Sequence, residues 1–442
     1  MELKTVEPAV VEGRVRAPAS KSALQRAIAC ASLAEGLSCL RGVTLCSDAL
    51  AALRVASGLG ARVLQDGPAE LRIEGRPPQP GTSFPGEAAG LSCGESGLCM
   101  RMYAPIAALQ GRPVRLLAEG TLKKRPMHMV AEALSAFGAR CSMGASGLPP
   151  LDICGPMHAG ERIIDAQGSS QVVTGLLIAL PLLDGDSVLE VRNPVSAGYL
   201  DLTRTVCKAF GVRIEQEEGR ASRNSGPQAP QAIRFVIPGR QRYRPANIDI
   251  EGDWSGAAFL AVAGAIAGAE TGLTVEGLDA DSSQPDKAIC RVLGDAGAQV
   301  SWNANALVIR PGSLVPFTFD ATDCPDLFPP LAALASAIQG ISTIRGVRRL
   351  AGKESDRARA LQHVYDILGV RIDIEDDKMR IHGGNVHGGR IPTYGDHRIA
   401  MSGAIAALIS DQPVEIEDAE CVAKSWPEFF ETLERLVRKA RT

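Results

Sequence analysis

Six apolar helices, each opened by polar residues, recur along the chain and begin near Ser22, Glu95, Ser169, Asp253, Asp326 and Asp396. The intervals between them are 73, 74, 84, 73 and 70 residues, so each period holds several elements rather than one. After each apolar helix comes a short strand, as in VRLLAEG or SVLEVRN, and then a second, more amphipathic helix. Five of those second helices run into the same kind of exit: LGARV (59–63), FGARC (137–141), FGVRI (210–214), AGAQV (296–300) and LGVRI (368–372). A glycine there fits a left-handed helix end, and the alternating residues beyond it read as a strand.

The sixth second helix, WPEFFETLERLVRKA, is expected to end the chain with no strand after it. Conversely, the N-terminal strand KTVEPAVVEGRVRAP has no helix before it. The economical solution is that the N-terminal strand completes the last unit. Three units then make one lobe, residues 20–240, and residues 1–19 with 241–442 make the other, the chain crossing twice, near Ala19 and near Pro245.

Composition narrows the partners. A chain of 442 residues exceeds what one hydrophobic core organises. Net charge is −3 without a basic stripe or tail, which argues against nucleic acid. The longest apolar runs, 175–183 and 257–268, fall short of a membrane span, and the start MELKTVEPAV lacks the apolar run of a targeting segment. Eleven cysteines, an odd number with no CxxC, sit mostly in apolar runs such as those of Cys30, Cys99, Cys207 and Cys290. They read as buried free thiols of a cytoplasmic protein. His382 and His387 lie in a Gly-rich loop without carboxylate or Cys support, so no metal site is expected.

The helix starts carry the chemistry. PASKSALQR (18–26) places Lys21, Ser22 and Arg26 at the mouth of a helix, more polar groups than a cap requires. Free N–H groups and the positive end of the helix dipole already favour an anion there. The other starts are Gly94–Gly97, Ser169-Ser170-Gln171, Asp253, Asp326 and Asp396-His397-Arg398. Second helices open with Lys123-Lys124-Arg125, with Lys353-Glu354-Ser355-Asp356-Arg357 and with Lys424. If the units pack alike, these starts gather where the lobes face each other. An acidic protein that collects cations in register is built for a small, multiply anionic ligand.

The stretches PASKSALQRA, GESGLCMR, KKRPM, GSSQ, SAGY, GDWSGAAF, CPD, GKESDR, YGDHRIAMS and AKSWPEF resemble the EPSP synthases in order and spacing, over essentially the whole chain. The resemblance implies an α/β fold of two lobes, each of three βαβαββ units with pseudo-threefold symmetry. It implies enolpyruvyl transfer from phosphoenolpyruvate to the 5-hydroxyl of shikimate 3-phosphate, without cofactor or metal, by a cytoplasmic monomer. The reaction moves protons at the hydroxyl and at the methylene carbon. Asp326 is then the base near the hydroxyl, Glu354 the acid and then base near the methylene, and Lys21 shares the proton work.

By motif position the shikimate 3-phosphate contacts are Lys21, Ser22, Arg26, Ser169, Ser170, Gln171, Ser196, Asp326 and Lys353. The phosphoenolpyruvate contacts are Lys21, Gly97, Arg125, Gln171, Arg357, Arg398 and Lys424. Arg101 is expected to brace its loop, Tyr199 to pack its ring, Asp253 to cap its helix and His397 to support Arg398. Arg349 stands where some members of that family carry Asn, and it is given no role. The sister family acting on UDP-N-acetylglucosamine carries a PGGC-type loop that this chain lacks, and no GxxxxGK[ST] is present.

Overall fold

In the computed structural model, which describes residues 2–65, 67, 69–78, 90–217 and 232–438, the five helix-exit glycines all take positive φ. The angles are 116° at Gly60, 86° at Gly138, 80° at Gly211, 94° at Gly297 and 78° at Gly369. An L side chain is strained in that region, so glycine ends each second helix and turns the chain into the strand that follows. The second helices are Ser47–Gly58, His128–Ala136, Gly198–Ala209, Ile289–Asp295, Arg357–Ile367 and Phe429–Leu436. The apolar first helices are Lys21–Leu33, Gly97–Ala107, Gln171–Ala179, Trp254–Ala267, Phe328–Ser336 and His397–Ala407.

One strand order recurs with them. Val114–Leu117 pairs parallel with Leu91–Ser92 and antiparallel with Leu151–Cys154, whose other neighbour is Arg140–Met143. The parallel pair is bridged by the helix Gly97–Ala107, because parallel neighbours need a long crossover whereas antiparallel ones do not. Gly36–Arg41, Ser187–Arg192, Gly268–Glu276 and Gly340–Arg345 hold the same place in their own sheets, each between one parallel and one antiparallel neighbour.

The chain forms two compact units, Lys21–Ile250 and Met1–Ser20 with Glu251–Thr442. Each carries three sheets among the described residues, in the βαβαββ pattern. Asn247–Asp249 adds to the first sheet of the continuous unit, parallel to Gly36–Arg41.

Two expectations about the chain ends are corrected. The N-terminal stretch is two strands rather than one. Lys4–Val6 pairs antiparallel with Val414–Ile416 and completes the sixth sheet, whereas Val10–Arg16 lies parallel to Gly268–Glu276 in the fourth. Pro8, which has no N–H to give a ladder, falls between them. The last helix stops at Leu436, and Val437–Arg438 pairs antiparallel with Val10 and Val11, so a strand does follow it. The apolar pattern of LERLV fits either state, and the open edge of Val10–Arg16 decides. Lys439 and Ala440, the end of the expected helix, lie outside the described residues.

Packing explains why polar groups collect at helix starts. In the discontinuous unit the three first helices pack on one another, and Trp254, Phe259, Phe328, Leu331, Ile399 and Ile405 are fully buried. In the continuous unit Gly97–Ala107 and Gln171–Ala179 approach so closely that a Cβ on Gly175 would lie 2.3 Å from the Met102 carbonyl oxygen. Helices that are apolar on every side leave their ends for charge. Among the described residues no helix is long and apolar enough to cross a membrane.

Cys30, Cys99 and Cys207 are buried thiols as expected, while Cys290 is half-buried. His382 and His387 do meet carboxylates, contrary to expectation. His382 Nε2 lies 2.8 Å from Asp373 Oδ2 and His387 Nδ1 lies 2.7 Å from Asp411 Oδ2. Each imidazole has one acid from another segment, and no group of three candidate metal ligands forms among the described residues.

Candidate active site

In the continuous unit three expected residues converge around one glycine. A Cβ on Gly97 would lie 2.7 Å from Arg101 Nη1, 3.0 Å from Arg125 Nη1 and 3.7 Å from Gln171 Oε1. Ser96 caps that helix by accepting the Cys99 N–H at 3.2 Å, and its own hydroxyl donates to Gln25 Oε1 at 3.2 Å. Arg101 donates to Gln171 Oε1 at 3.0 Å and to the Pro126 carbonyl at 3.3 Å. It therefore braces two loops, the SSQ start and the KKRP turn, and not merely its own. The Glu95 carboxylate accepts from both the N–H and the hydroxyl of Thr121 at 2.8 Å, tying the GES turn to the same loop. Of the three cations in that loop, Arg125 is buried and Lys123 and Lys124 are exposed.

Lys21 opens its helix with Nζ 3.1 Å from Asp48 Oδ2, and both side chains are largely buried. Nothing specific marks Asp48 in the sequence. Its only signal is an acid in the first turn of the second helix, a common and unspecific feature. Ser22, Ser169 and Ser170 stand at helix starts; Ser169 Oγ accepts the Gln171 N–H at 3.2 Å, and the Ser170 hydroxyl bonds the Val195 carbonyl. Ser196 sits at φ 54°, a left-handed position that a serine adopts at some cost, in the turn before Gly198–Ala209.

Arg26 is placed more deeply than a surface contact would be. Its Nε donates to Thr203 Oγ1 at 2.9 Å and its Nη1 to the Ser22 carbonyl at 2.8 Å. Its Nη2 serves Thr174 Oγ1 at 3.1 Å and the Tyr199 carbonyl at 3.2 Å. Burial lowers its pKa to about 10. Tyr199 does pack its ring, with the Arg26 guanidinium 5.6 Å from the ring centre.

In the discontinuous unit Arg357 organises three carboxylates. It is fully buried, and its Nε and Nη2 reach Asp396 Oδ2 and Oδ1 at 3.0 and 3.3 Å. Its Nη1 donates to Asp326 Oδ1 at 2.9 Å and its Nη2 to Glu354 Oε2 at 2.7 Å. Burial disfavours the charged guanidinium, but Asp396, Glu354 and Asp326 outweigh it and raise the pKa.

Asp326 has two further cations, Arg398 Nη2 at 3.0 Å from Oδ2 and Lys353 Nζ at 3.5 Å from Oδ1. Desolvation would raise the Asp326 pKa, yet Arg398, Lys353 and Arg357 together hold it well below the usual carboxylate range. Burial lowers the Lys353 pKa despite Asp326. Lys424 Nζ approaches Glu354 Oε1 at 4.0 Å.

The supporting residues are clear only in three dimensions. Asp396 caps its helix through the Arg398 N–H at 3.0 Å and accepts the Ser355 hydroxyl at 3.1 Å as well as Arg357. Asp253 caps the helix Trp254–Ala267 as expected, and His397 is buried with Nδ1 3.8 Å from Asp396 Oδ1. Arg349 donates to the Thr322 carbonyl at 3.3 Å, and Asp323 and Asp326 oppose the lowering of its pKa by burial.

Each unit therefore presents its own cluster. One gathers Arg101, Arg125 and Gln171 around Gly97, and the same unit carries the Lys21–Asp48 pair at another helix start. The other sets two carboxylates, Asp326 and Glu354, on one guanidinium amid three more cations. Carboxylates that share cations in this way can exchange protons with a ligand while the cations neutralise its phosphate or carboxylate groups.

A family model described as EPSP synthase (3-phosphoshikimate 1-carboxyvinyltransferase) matches residues 6–433. A 3-phosphoshikimate 1-carboxyvinyltransferase of Clostridium kluyveri is 34% identical over 438 residues, covering 99% of this chain and 97% of that protein. One of Aeropyrum pernix is 37% identical over 434 residues, covering 98% and 95%. A solved structure of EPSP synthase from Acinetobacter baumannii is similar in fold, with a TM-score of 0.79 and 26% identity over 99% of this chain and 98% of that one.

Proposed function

Because the chain belongs to the EPSP synthase (3-phosphoshikimate 1-carboxyvinyltransferase) family, we propose that it transfers the enolpyruvyl group of phosphoenolpyruvate to the 5-hydroxyl of shikimate 3-phosphate and releases phosphate. This is a step of the shikimate pathway to chorismate and the aromatic amino acids. The observation that carries the reading is the pairing of Asp326 and Glu354 on one buried guanidinium, Arg357, at 2.9 and 2.7 Å.

The chemistry is an addition followed by an elimination. The 5-hydroxyl oxygen bonds to the central carbon of phosphoenolpyruvate while its proton leaves, and the methylene carbon gains a proton and becomes a methyl. Phosphate then departs as the methyl returns a proton and the double bond re-forms. We assign the first removal to Asp326 and both transfers at the methylene carbon to Glu354, with Lys21 sharing the proton work. Ser22, Arg26, Ser169, Ser170, Gln171, Ser196 and Lys353 join Lys21 and Asp326 in holding shikimate 3-phosphate. Gly97, Arg125, Gln171, Arg357, Arg398 and Lys424 join Lys21 in holding phosphoenolpyruvate.

The cations around Asp326 give this assignment its order. A carboxylate held by Arg398, Lys353 and Arg357 is a weak base. Anionic substrates that draw on Arg398 and Lys353 relieve it of that charge, so Asp326 regains basicity once both are bound. The enzyme acts as a monomer in the cytoplasm, and the free state of the cysteines among the described residues is in keeping with a reducing compartment. Identification of the product by mass and phosphorus resonance tests the assignment. A 5-enolpyruvyl ether of shikimate 3-phosphate is expected, and an enolpyruvyl ether of UDP-N-acetylglucosamine in its place would overturn it.

A further inference from the structure

Ser255 links a helix cap to a cation of the second cluster. It is 5% exposed, at the start of the helix Trp254–Ala267. Its hydroxyl donates to Asp253 Oδ1 at 2.6 Å and accepts from Arg398 Nη2 at 3.0 Å. Asp253 Oδ1 also accepts the backbone N–H groups of Ser255 at 2.8 Å and Gly256 at 3.1 Å, so the carboxylate is anchored to the helix. A hydroxyl has one proton, and with that proton on Asp253 its lone pair is what faces the guanidinium.

Arg398 Nη2 has two protons. It donates one to Ser255 Oγ at 3.0 Å, and the same nitrogen forms an ion pair with Asp326 Oδ2 at 3.0 Å. Among the described residues the guanidinium makes no other hydrogen bond, which leaves the N–H groups of Nη1 and Nε for an anion. We propose that Ser255 is a positioning residue for phosphoenolpyruvate, pinning Arg398 by Nη2 so that its Nη1 N–H groups are held out for the donor carboxylate. The inference rests on the proposed assignment of Arg398 to that donor. Without the hydroxyl the guanidinium is free to turn and close a two-pronged bond on Asp326, the preferred geometry of an arginine beside a carboxylate. That turn withdraws Arg398 from the donor.

Ser255→Ala, Arg398→Lys and the double variant test this by steady-state kinetics with each substrate varied in turn. Ser255→Ala retains the backbone cap on Asp253. It is expected to raise the KM for phosphoenolpyruvate by about tenfold, the effect of one hydrogen bond to a charged group. The KM for shikimate 3-phosphate and the thermal midpoint are expected to stay near wild type. In the Arg398→Lys background the same change is expected to add nothing, because the interaction it removes is already gone. An unchanged KM for phosphoenolpyruvate in Ser255→Ala, or an equal effect of Ser255→Ala in both backgrounds, would overturn the role of Ser255. Arg398→Lys with an unaltered KM for phosphoenolpyruvate would overturn the assignment of Arg398, and the inference with it.

Discussion

Arg357 and Asp396 form a two-pronged ion pair, at 3.0 and 3.3 Å, in which neither side chain has any exposure. Asp396 also caps its helix, so one carboxylate fixes both the KESDR and the DHRIAM segments. Removing one partner of a buried pair leaves an uncompensated charge. Asp396→Asn should therefore lose about 3 kcal/mol of stability against denaturant, the low end for such pairs. A loss below about 0.5 kcal/mol, the usual range of surface changes, would show that the pair does not support the cluster.

Asp326 gives a pH dependence of definite sign. Its folded pKa lies well below the ordinary 3.8 because Arg398, Lys353 and Arg357 overcome the effect of burial. A depressed acid adds stability above its unfolded pKa and loses it as pH falls through the folded one. The stability gap between wild type and Asp326→Asn should then be level at neutral pH and shrink below about pH 4. Denaturant midpoints across pH check this, and a gap that widens on acidification would reverse the sign.

Glu354→Gln keeps the shape and removes the ionisable proton. Turnover should fall by about 10²–10⁴-fold, the range of general acid–base catalysis, while shikimate 3-phosphate still binds. Single-turnover rates with binding measured by calorimetry separate the two. An unchanged rate would take Glu354 out of the proton transfers.

Gly97→Ala places a methyl where Arg101 Nη1 and Arg125 Nη1 lie 2.7 and 3.0 Å away. Arg101 must shift and Arg125 must give way with it, so the KM for phosphoenolpyruvate should rise by about tenfold or more, with a smaller change for shikimate 3-phosphate. Stability should hold, since alanine suits a helix better than glycine by about 1 kcal/mol. An unchanged KM for phosphoenolpyruvate, or an equal change in both KM values, would mean that this glycine gives no room to the donor.

The repeat and its helix ends were legible because they rest on local rules. Gly60, Gly138, Gly211, Gly297 and Gly369 announce themselves through a backbone angle that other residues avoid. Polar starts on apolar helices likewise marked Lys21, Gln171, Asp326 and Arg398. Arg357 was legible as a cation, but not as the hub of three acids. Asp326 and Asp396 lie 31 and 39 residues from it, and sequence spacing carries no side-chain direction across such distances. Asp48 and Ser255 are illegible for the same reason, being ordinary first-turn residues until Lys21 and Arg398 meet them. Val437 and Arg438 carry a helical pattern, because an edge strand is decided by its neighbour, Val10–Arg16, and not by its own sequence.

Release of inorganic phosphate, followed with each substrate alone and with both together, tests the central claim most directly. The account predicts release only when phosphoenolpyruvate and shikimate 3-phosphate are both present, in equal amount to the enolpyruvyl ether formed. Release from phosphoenolpyruvate alone at the same rate, or none with both substrates present, would contradict it.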